Sequence, residues 1–165
     1  LHYPEGALRG TGVTLAALRA GYFQENAANA LGPAQALGIV PNFIGTQDTA
    51  FPMIATKDIG RLAAELMTVE PPKNQIVDLH GPAYSMRQVA EQLGKAVNKP
   101  LKVVEIPQPG WVDAMTKSGL PPYLAQCFAE MYGAFASGAV APKGDRLVQG
   151  RTPLEETIRA LVKAA

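Results

Sequence analysis

Chemistry in this chain of 165 residues would have to come from a few places. The segment Arg19-Ala20-Gly21-Tyr22-Phe23-Gln24-Glu25-Asn26 brings a guanidinium, two aromatic rings and an amide together, just beyond a short apolar run. If that run is a strand, the segment lies at a carboxyl end, where open α/β sheets bind ligands. Arg19 could hold an anionic group through its planar fork. It could equally pair with Glu25 or another acid, and that structural pairing is the preferred reading because surface ion pairs are common. Tyr22 and Phe23 could face a ligand or pack in a core, and Asn26 could bind, cap a helix or sit on the surface. His80 stands beside Gly81-Pro82. It could act as acid or base near neutral pH, or be a plain loop residue, since no acid partner is visible nearby. Trp111, Met115, Tyr123, Phe128, Tyr132 and Phe135 could line an apolar pocket, with packing between helices as their plainer role. Cys127 reads as a buried, inert thiol. No Cys/His spacing suits zinc and no acidic loop suits calcium.

The elements that would position these groups follow from local pattern. Residues 4–9 read as the end of a helix stopped by Gly10 and Gly12. Residues 13–18 are a short, mostly apolar run between glycines, like a strand covered on both faces. Residues 22–30 read as helix, and 32–55 as loop with short strands or one short helix. Thr56 can cap the next helix, with Asp58 in its first turn where the helix dipole favours an acid. Ile59, Leu62, Ala63 and Leu66 then recur at helical spacing. Residues 75–79 form a second strand. Ser85 with Gln88 three residues on makes a capping box, and Val89, Leu93 and Val97 line one side of the helix it opens. Residues 101–106 alternate like a half-buried strand. Pro109 opens a short helix to Lys117, and Pro121-Pro122 a longer one to Ser137. Residues 138–151 read as loop. Thr152-Pro153-Leu154-Glu155 is a strong helix start, with Leu154, Ile158, Leu161 and Val162 turned inward. Alternating strands and helices argue for part of a parallel, helix-flanked sheet, and the helical tail for an appended lobe.

Bulk properties exclude several functions. A formal net charge of +1 gives no field for nucleic acid or an anionic membrane. No apolar run reaches the roughly 18 residues of a membrane span. One cysteine allows no internal disulfide, which suits a reducing cytoplasm. The opening residues carry no signal-peptide pattern. The chain begins at Leu1 rather than Met, which suggests a fragment, a trimmed chain or an unusual gene product.

Four segments in this order resemble the NmrA-like branch of the atypical short-chain dehydrogenase/reductase group, over the second half of that family. They are Val13-Thr14-Leu15 running into Leu18-Arg19-Ala20-Gly21-Tyr22-Phe23-Gln24-Glu25-Asn26; Met53-Ile54-Ala55-Thr56-Lys57-Asp58-Ile59-Gly60 with Ala63-Ala64-Glu65-Leu66; Ile76-Val77-Asp78-Leu79-His80-Gly81-Pro82; and Glu130-Met131-Tyr132 with Thr152-Pro153-Leu154-Glu155-Glu156. The resemblance implies a Rossmann-like sheet, NADP or NAD as cofactor, and either reduction of quinones and small carbonyl or enone compounds or sensing of the cofactor ratio. It places the turn with Tyr22, Phe23 and Asn26 at the border of the nicotinamide and the substrate; Arg19, His80, Trp111 and Tyr132 are, from their residue types and positions, the candidates for a substrate pocket. Two parts of the pattern are missing. There is no G-x-G-x-x-G loop, because Gly10-Thr11-Gly12 follows a helix, precedes a strand and has no glycine three residues on. Tyr3 is followed four residues later by Ala7, so there is no Tyr-x-x-x-Lys pair.

The expectation is therefore an α/β fold, a partial Rossmann-like parallel sheet with a helical C-terminal substrate lobe. Residues 1–165 would form one domain, with the sheet remnant in 1–106 and the lobe in 107–165. It would be the substrate-side half of an NAD(P)H-dependent oxidoreductase or cofactor sensor, not binding a dinucleotide by itself in the usual way. The alternative is a non-enzymatic module that binds a small apolar ligand or another protein. A homo-oligomer or a separate N-terminal half is the expected partner, and the cytoplasm the expected location. Neither nucleic acid nor a membrane is an expected partner.

Overall fold

The computed structural model describes residues 2–69, 71, 73–139 and 141–164. In chain order it runs α1 (His2–Arg9), β1 (Ala16–Ala20), β2 (Tyr22–Phe23), a 3₁₀ turn (Gln24–Ala30), α2 (Leu31–Leu37), β3 (Ile39–Asn42), β4 (Phe51–Ile54), α3 (Thr56–Thr68), β5 (Gln75–His80), β6 (Ala83–Tyr84), α4 (Met86–Ala96), β7 (Lys102–Glu105), a 3₁₀ turn (Gln108–Gly110), α5 (Trp111–Lys117), α6 (Pro122–Ala136), β8 (Arg146–Gln149) and α7 (Leu154–Ala164). These elements divide into two compact units that interleave along the sequence. The first is Leu1–Asn26, Pro52–Ala83 and Pro142–Thr157; the second is Ala27–Phe51, Tyr84–Ala141 and Ile158–Ala165.

The first unit is built on a parallel sheet in the order β1-β5-β8. Ala16 to Ala20 lie opposite Gln75 to Leu79, and Val77 to His80 lie opposite Arg146 to Gln149. Parallel neighbours need a long crossover, usually helical, and α3 lies in the stretch between β1 and β5. Its Leu62, with Ile59 and Leu66 one turn away on either side, packs on Leu18, Ala20, Val77, Leu79 and Val148. Strand periodicity does the rest: Val77 and Leu79 share one face. The short β2 pairs with β4, Tyr22 opposite Met53 and Phe23 opposite Ile54.

The second unit holds a two-stranded parallel pair, β3 with β7. The capping box of α4 is formed in full: Ser85 accepts from the Gln88 N–H and the Gln88 side chain accepts from the Ser85 N–H. The helix buries Val89, Ala90 and Leu93, the apolar stripe that its spacing predicts. Helices α5 and α6 enclose Trp111, Met115 and Ala125, with Phe43, Ile106, Leu120, Phe128 and Tyr132 around them.

Several expectations are corrected. The first strand starts at Ala16, not Val13; Val13 is exposed, because strand pairing begins only where Ala16 meets Gln75. Residues 22–30 are not an α-helix. Pairing with β4 takes Tyr22 and Phe23 into a strand, and only then does the chain coil into a 3₁₀ turn. Ala55, not Thr56, occupies the cap position of α3; Thr56 is already helical. The stretch 138–151 contains a strand, β8, whose four residues are too few and too polar to show a pattern. Cys127 is exposed.

Candidate functional site

Because β1, β5 and β8 are parallel, their carboxyl ends fall on one edge of the sheet. That edge is where ligands sit in open α/β folds. The strand ends are tied there by backbone bonds: the Gly21 N–H donates to the Leu79 carbonyl (3.0 Å) and the Gly150 N–H to the His80 carbonyl (2.7 Å). Two glycines make the close packing possible. A Cβ on Gly81 would stand 2.0 Å from the Met53 carbonyl oxygen, and one on Gly150 would stand 2.3 Å from Ile54 Cδ1. At Gly81 the obstacle is backbone and leaves no room for a side chain, whereas at Gly150 the tip of the Ile54 side chain would have to shift.

Behind this edge lies a set of polar side chains, of which Gln24, Asp58, Thr152 and Thr157 are buried. Gln24 Nε2 donates to the Met53 carbonyl (3.1 Å) and the Thr152 carbonyl (3.0 Å), and its Oε1 accepts from the Thr157 hydroxyl (2.6 Å). Asp58 Oδ2 accepts from the Arg151 and Thr152 N–H groups at 3.0 and 2.9 Å. Burial alone would push the Asp58 carboxyl up. The bonds from Thr152 and Arg151 and the charge of Arg61 outweigh it and hold the group below the ordinary carboxylate value. So Asp58 is more than a helix-start acid; it pins the turn after β8. Glu25 Oε1 accepts from both the N–H and the hydroxyl of Thr56 (2.8 and 2.6 Å). The amino end of α3, a ready seat for an anion, thus already holds a carboxylate of the chain itself.

The residues singled out from the sequence fall as follows. Tyr22 is half-buried in β2, Phe23 is 40% exposed, and Asn26 is half-buried in the 3₁₀ turn. Phe23 is thus no core aromatic. Its ring faces solvent at the sheet edge. His80 ends β5 half-buried, and its imidazole packs under Gly21, whose Cβ would lie 3.4 Å from Cδ2. Arg19 forms a two-pronged pair with Glu5 of α1, at 2.8 and 2.7 Å, so the acid it meets is Glu5 and not Glu25. That bond raises the guanidinium pKa further. Trp111 and Tyr132 belong to the second unit and meet there edge to face, with ring centres 6.2 Å apart. Tyr132 also stacks on Phe43 at 5.6 Å and on Phe128 at 6.1 Å. Trp111 Nε1 donates to the Ile106 carbonyl at 2.7 Å. Trp111 is buried in this cluster, and Phe43, Phe128 and Tyr132 pack half-buried around it. Gln24 escaped sequence reasoning because its partners lie 29, 128 and 133 residues away. Among the described residues, no group of three or more His, Cys, Asp or Glu is placed to hold a metal. No described helix is long and apolar enough to cross a membrane.

This architecture is the mixed α/β fold of NAD(P)-dependent reductases and related epimerases, as comparison with solved structures shows. The triphenylmethane reductase of Citrobacter sp. superposes with a TM-score of 0.78 at 19% identity, over 96% of this chain and 56% of that one. The same enzyme complexed with NADP(H) gives 0.76 at 20% identity, over 95% and 56%. A nucleoside-diphosphate-sugar epimerase from Staphylococcus aureus gives 0.75 at 17%, over 96% and 56%. An NADPH-dependent quinone oxidoreductase from Escherichia coli gives 0.71 at 20%, over 96% and 52%. The chain therefore spans just over half the length of these proteins. No protein-family model and no curated protein matches it.

Proposed function

We propose that this chain is the substrate-side half of an NmrA-like NAD(P)H-dependent oxidoreductase or cofactor sensor, and that the carboxyl edge of β1, β5 and β8 borders the nicotinamide ring. The observation that carries the reading is the likeness of 96% of the chain to reductases, one of them complexed with NADP(H), together with the strand-end location of Tyr22, Phe23 and His80. The residues fit the ring end of such a cofactor. Phe23 offers an exposed apolar ring, Tyr22 a half-buried ring on the other face of β2, and His80 a group able to donate or accept a proton. A nicotinamide cofactor would bring hydride chemistry to this edge. The residues do not fit the pyrophosphate. Gly10-Thr11-Gly12 follows α1 and precedes β1, the reverse of a phosphate loop, and the amino end of α3 holds Glu25.

Titration with NADPH and with reduced nicotinamide mononucleotide, followed by calorimetry and by NMR of the Tyr22 and His80 side chains, tests this. The expected result is weak binding of the mononucleotide at the strand edge, with NADPH binding no more tightly. Tight NADPH binding by this chain would sink the statement about the pyrophosphate. Absence of any response to the mononucleotide would sink the site.

A second reading, a self-associating module that binds a small apolar ligand or a protein, is favoured by the sheet's two outer strands. Among the described residues, β1 and β8 each have a strand on one side only. Open edges invite pairing with a second copy. Light scattering should then report a dimer or larger, and a stable monomer would end that reading.

A further inference from the structure

We infer that Gln24 is the positioning residue of the strand-edge site. The inference rests on the reading above that this edge receives a ring-bearing ligand. Gln24 is 1% exposed, and both amide hydrogens and the carbonyl oxygen are engaged. Its three partners sit at the end of β4, in the turn after β8, and on α7. One side chain thus fastens three segments to the backbone that carries Tyr22 and Phe23 immediately before it and Asn26 two residues after it.

Only an amide satisfies this geometry. A carboxylate at position 24 would face two carbonyl oxygens with no proton to give. A methionine would fill the space but leave two carbonyls and a hydroxyl without their partner. A buried amide whose oxygen and both hydrogens are bonded holds one arrangement, and a ligand site needs such support beneath it. The turn after β8 is held twice, its Thr152 carbonyl by Gln24 and its Thr152 N–H by Asp58. The edge beside Tyr22 is thereby fixed in one shape before any ligand arrives.

The test uses Gln24→Met and Gln24→Glu, with reduced nicotinamide mononucleotide as the probe and thermal unfolding measured in parallel. Gln24→Met should bind the probe at least about tenfold more weakly at every pH, since more than one bond of about 1 kcal/mol is lost. Gln24→Glu should bind as weakly while its carboxyl is ionised. It should recover toward wild type as the pH falls and the carboxylic acid regains an O–H to donate. The ratio of variant to wild-type affinity is the quantity to follow. Glu25, Asp58, Arg151, Glu156 and His80 are common to both proteins, so the pH dependence of the ratio reports the change at position 24. If Gln24→Met does not fold, Thr157→Val removes one of the three bonds and should weaken binding about fivefold. A ratio of one at every pH, with only the melting temperature lowered, would overturn the inference and leave Gln24 a structural residue. A wild-type chain that ignores the probe would instead overturn the functional reading, and the inference with it.

Discussion

The strand edge of the first unit and the cluster between α5 and α6 in the second are held by different physics. At the strand edge of the first, the contacts that set the backbone are directional: Gln24, Asp58 and Glu25 each bind named N–H, hydroxyl or carbonyl groups. In the second, α5 and α6 close on rings and aliphatic side chains, where Trp111, Tyr132, Phe43 and Phe128 meet with few polar bonds. Apolar packing tolerates several arrangements of similar volume, whereas a hydrogen-bond network accepts one. The difference teaches that geometry is specified most tightly at the edge proposed to receive a ligand. Shape-conserving substitutions should therefore be costly at the strand edge and mild in the aromatic cluster, while deletion of volume should be costly in both.

The largest effect should come from Gly81→Ala. The new Cβ would fall 2.0 Å from a backbone oxygen that has no freedom to retreat. A loss of more than about 4 kcal/mol is expected, enough to leave little folded protein. Circular dichroism and solubility would show it. A well-folded Gly81→Ala variant would mean that this edge is softer than its contacts imply, and the comparison would collapse. Next is Trp111→Ala, which should cost about 3–5 kcal/mol in denaturant unfolding by emptying the centre of the aromatic cluster. Trp111→Phe should cost much less, because most of the ring volume stays and only the bond to the Ile106 carbonyl is lost.

Asp58→Asn keeps shape and changes chemistry. It exchanges charge-assisted bonds from Arg151 and Thr152 for weaker ones, and about 2 kcal/mol should be lost near neutral pH. The sign with pH follows from the depressed folded-state value. Asp58 contributes its stability above the unfolded carboxyl pKa of about 3.9 and loses it as the pH falls through the lower folded value. The acid limb of the wild-type stability curve should thus be steeper than that of Asp58→Asn. Parallel acid limbs would show that the Asp58 bonds do not set the stability of this edge.

What could be read from the sequence tracks how far apart the determining residues lie. The Ser85–Gln88 capping box spans four consecutive residues and was legible. So was the α3 stripe Ile59, Leu62 and Leu66, because helix periodicity displays it. The strand β5 was legible to within one residue, and with it the strand-end location of His80. The strand β8 was not, since Arg146-Leu147-Val148-Gln149 becomes a strand only through pairing with β5, some seventy residues earlier (Val77 opposite Arg146). Thr56 looked like a cap because its hydroxyl suits one, yet that hydroxyl serves Glu25 and the cap position falls to Ala55. Arg19 was expected to find an acid, and it did, but the acid is Glu5. At the site, the aromatic pair Tyr22-Phe23 announced itself by type. Gln24, which holds the pair in place, is one polar residue among three, and nothing local marks it. The groups that touch solvent at this edge were visible, whereas the groups that fix its shape depended on contacts across the chain.

The smallest effect should be the most informative about the second unit. Tyr132→Phe removes one oxygen from a ring that stacks on Phe43 and Phe128 and meets Trp111 edge on. If the cluster works by volume and ring contact, less than about 1 kcal/mol should be lost at neutral pH. The pH dependence should differ from that of Asp58 in direction. Burial raises the Tyr132 phenol above its usual value of about 10, because the phenolate would have to form in apolar surroundings. A group with a raised folded value contributes its full share below the unfolded value and loses it as the pH climbs through the folded one. Wild type should therefore lose stability on the alkaline side, and Tyr132→Phe should lose less there. A cost at neutral pH as large as that of Asp58→Asn would mean that the phenol is tied into a polar network of its own. The contrast between a bonded edge and a packed core would then not hold.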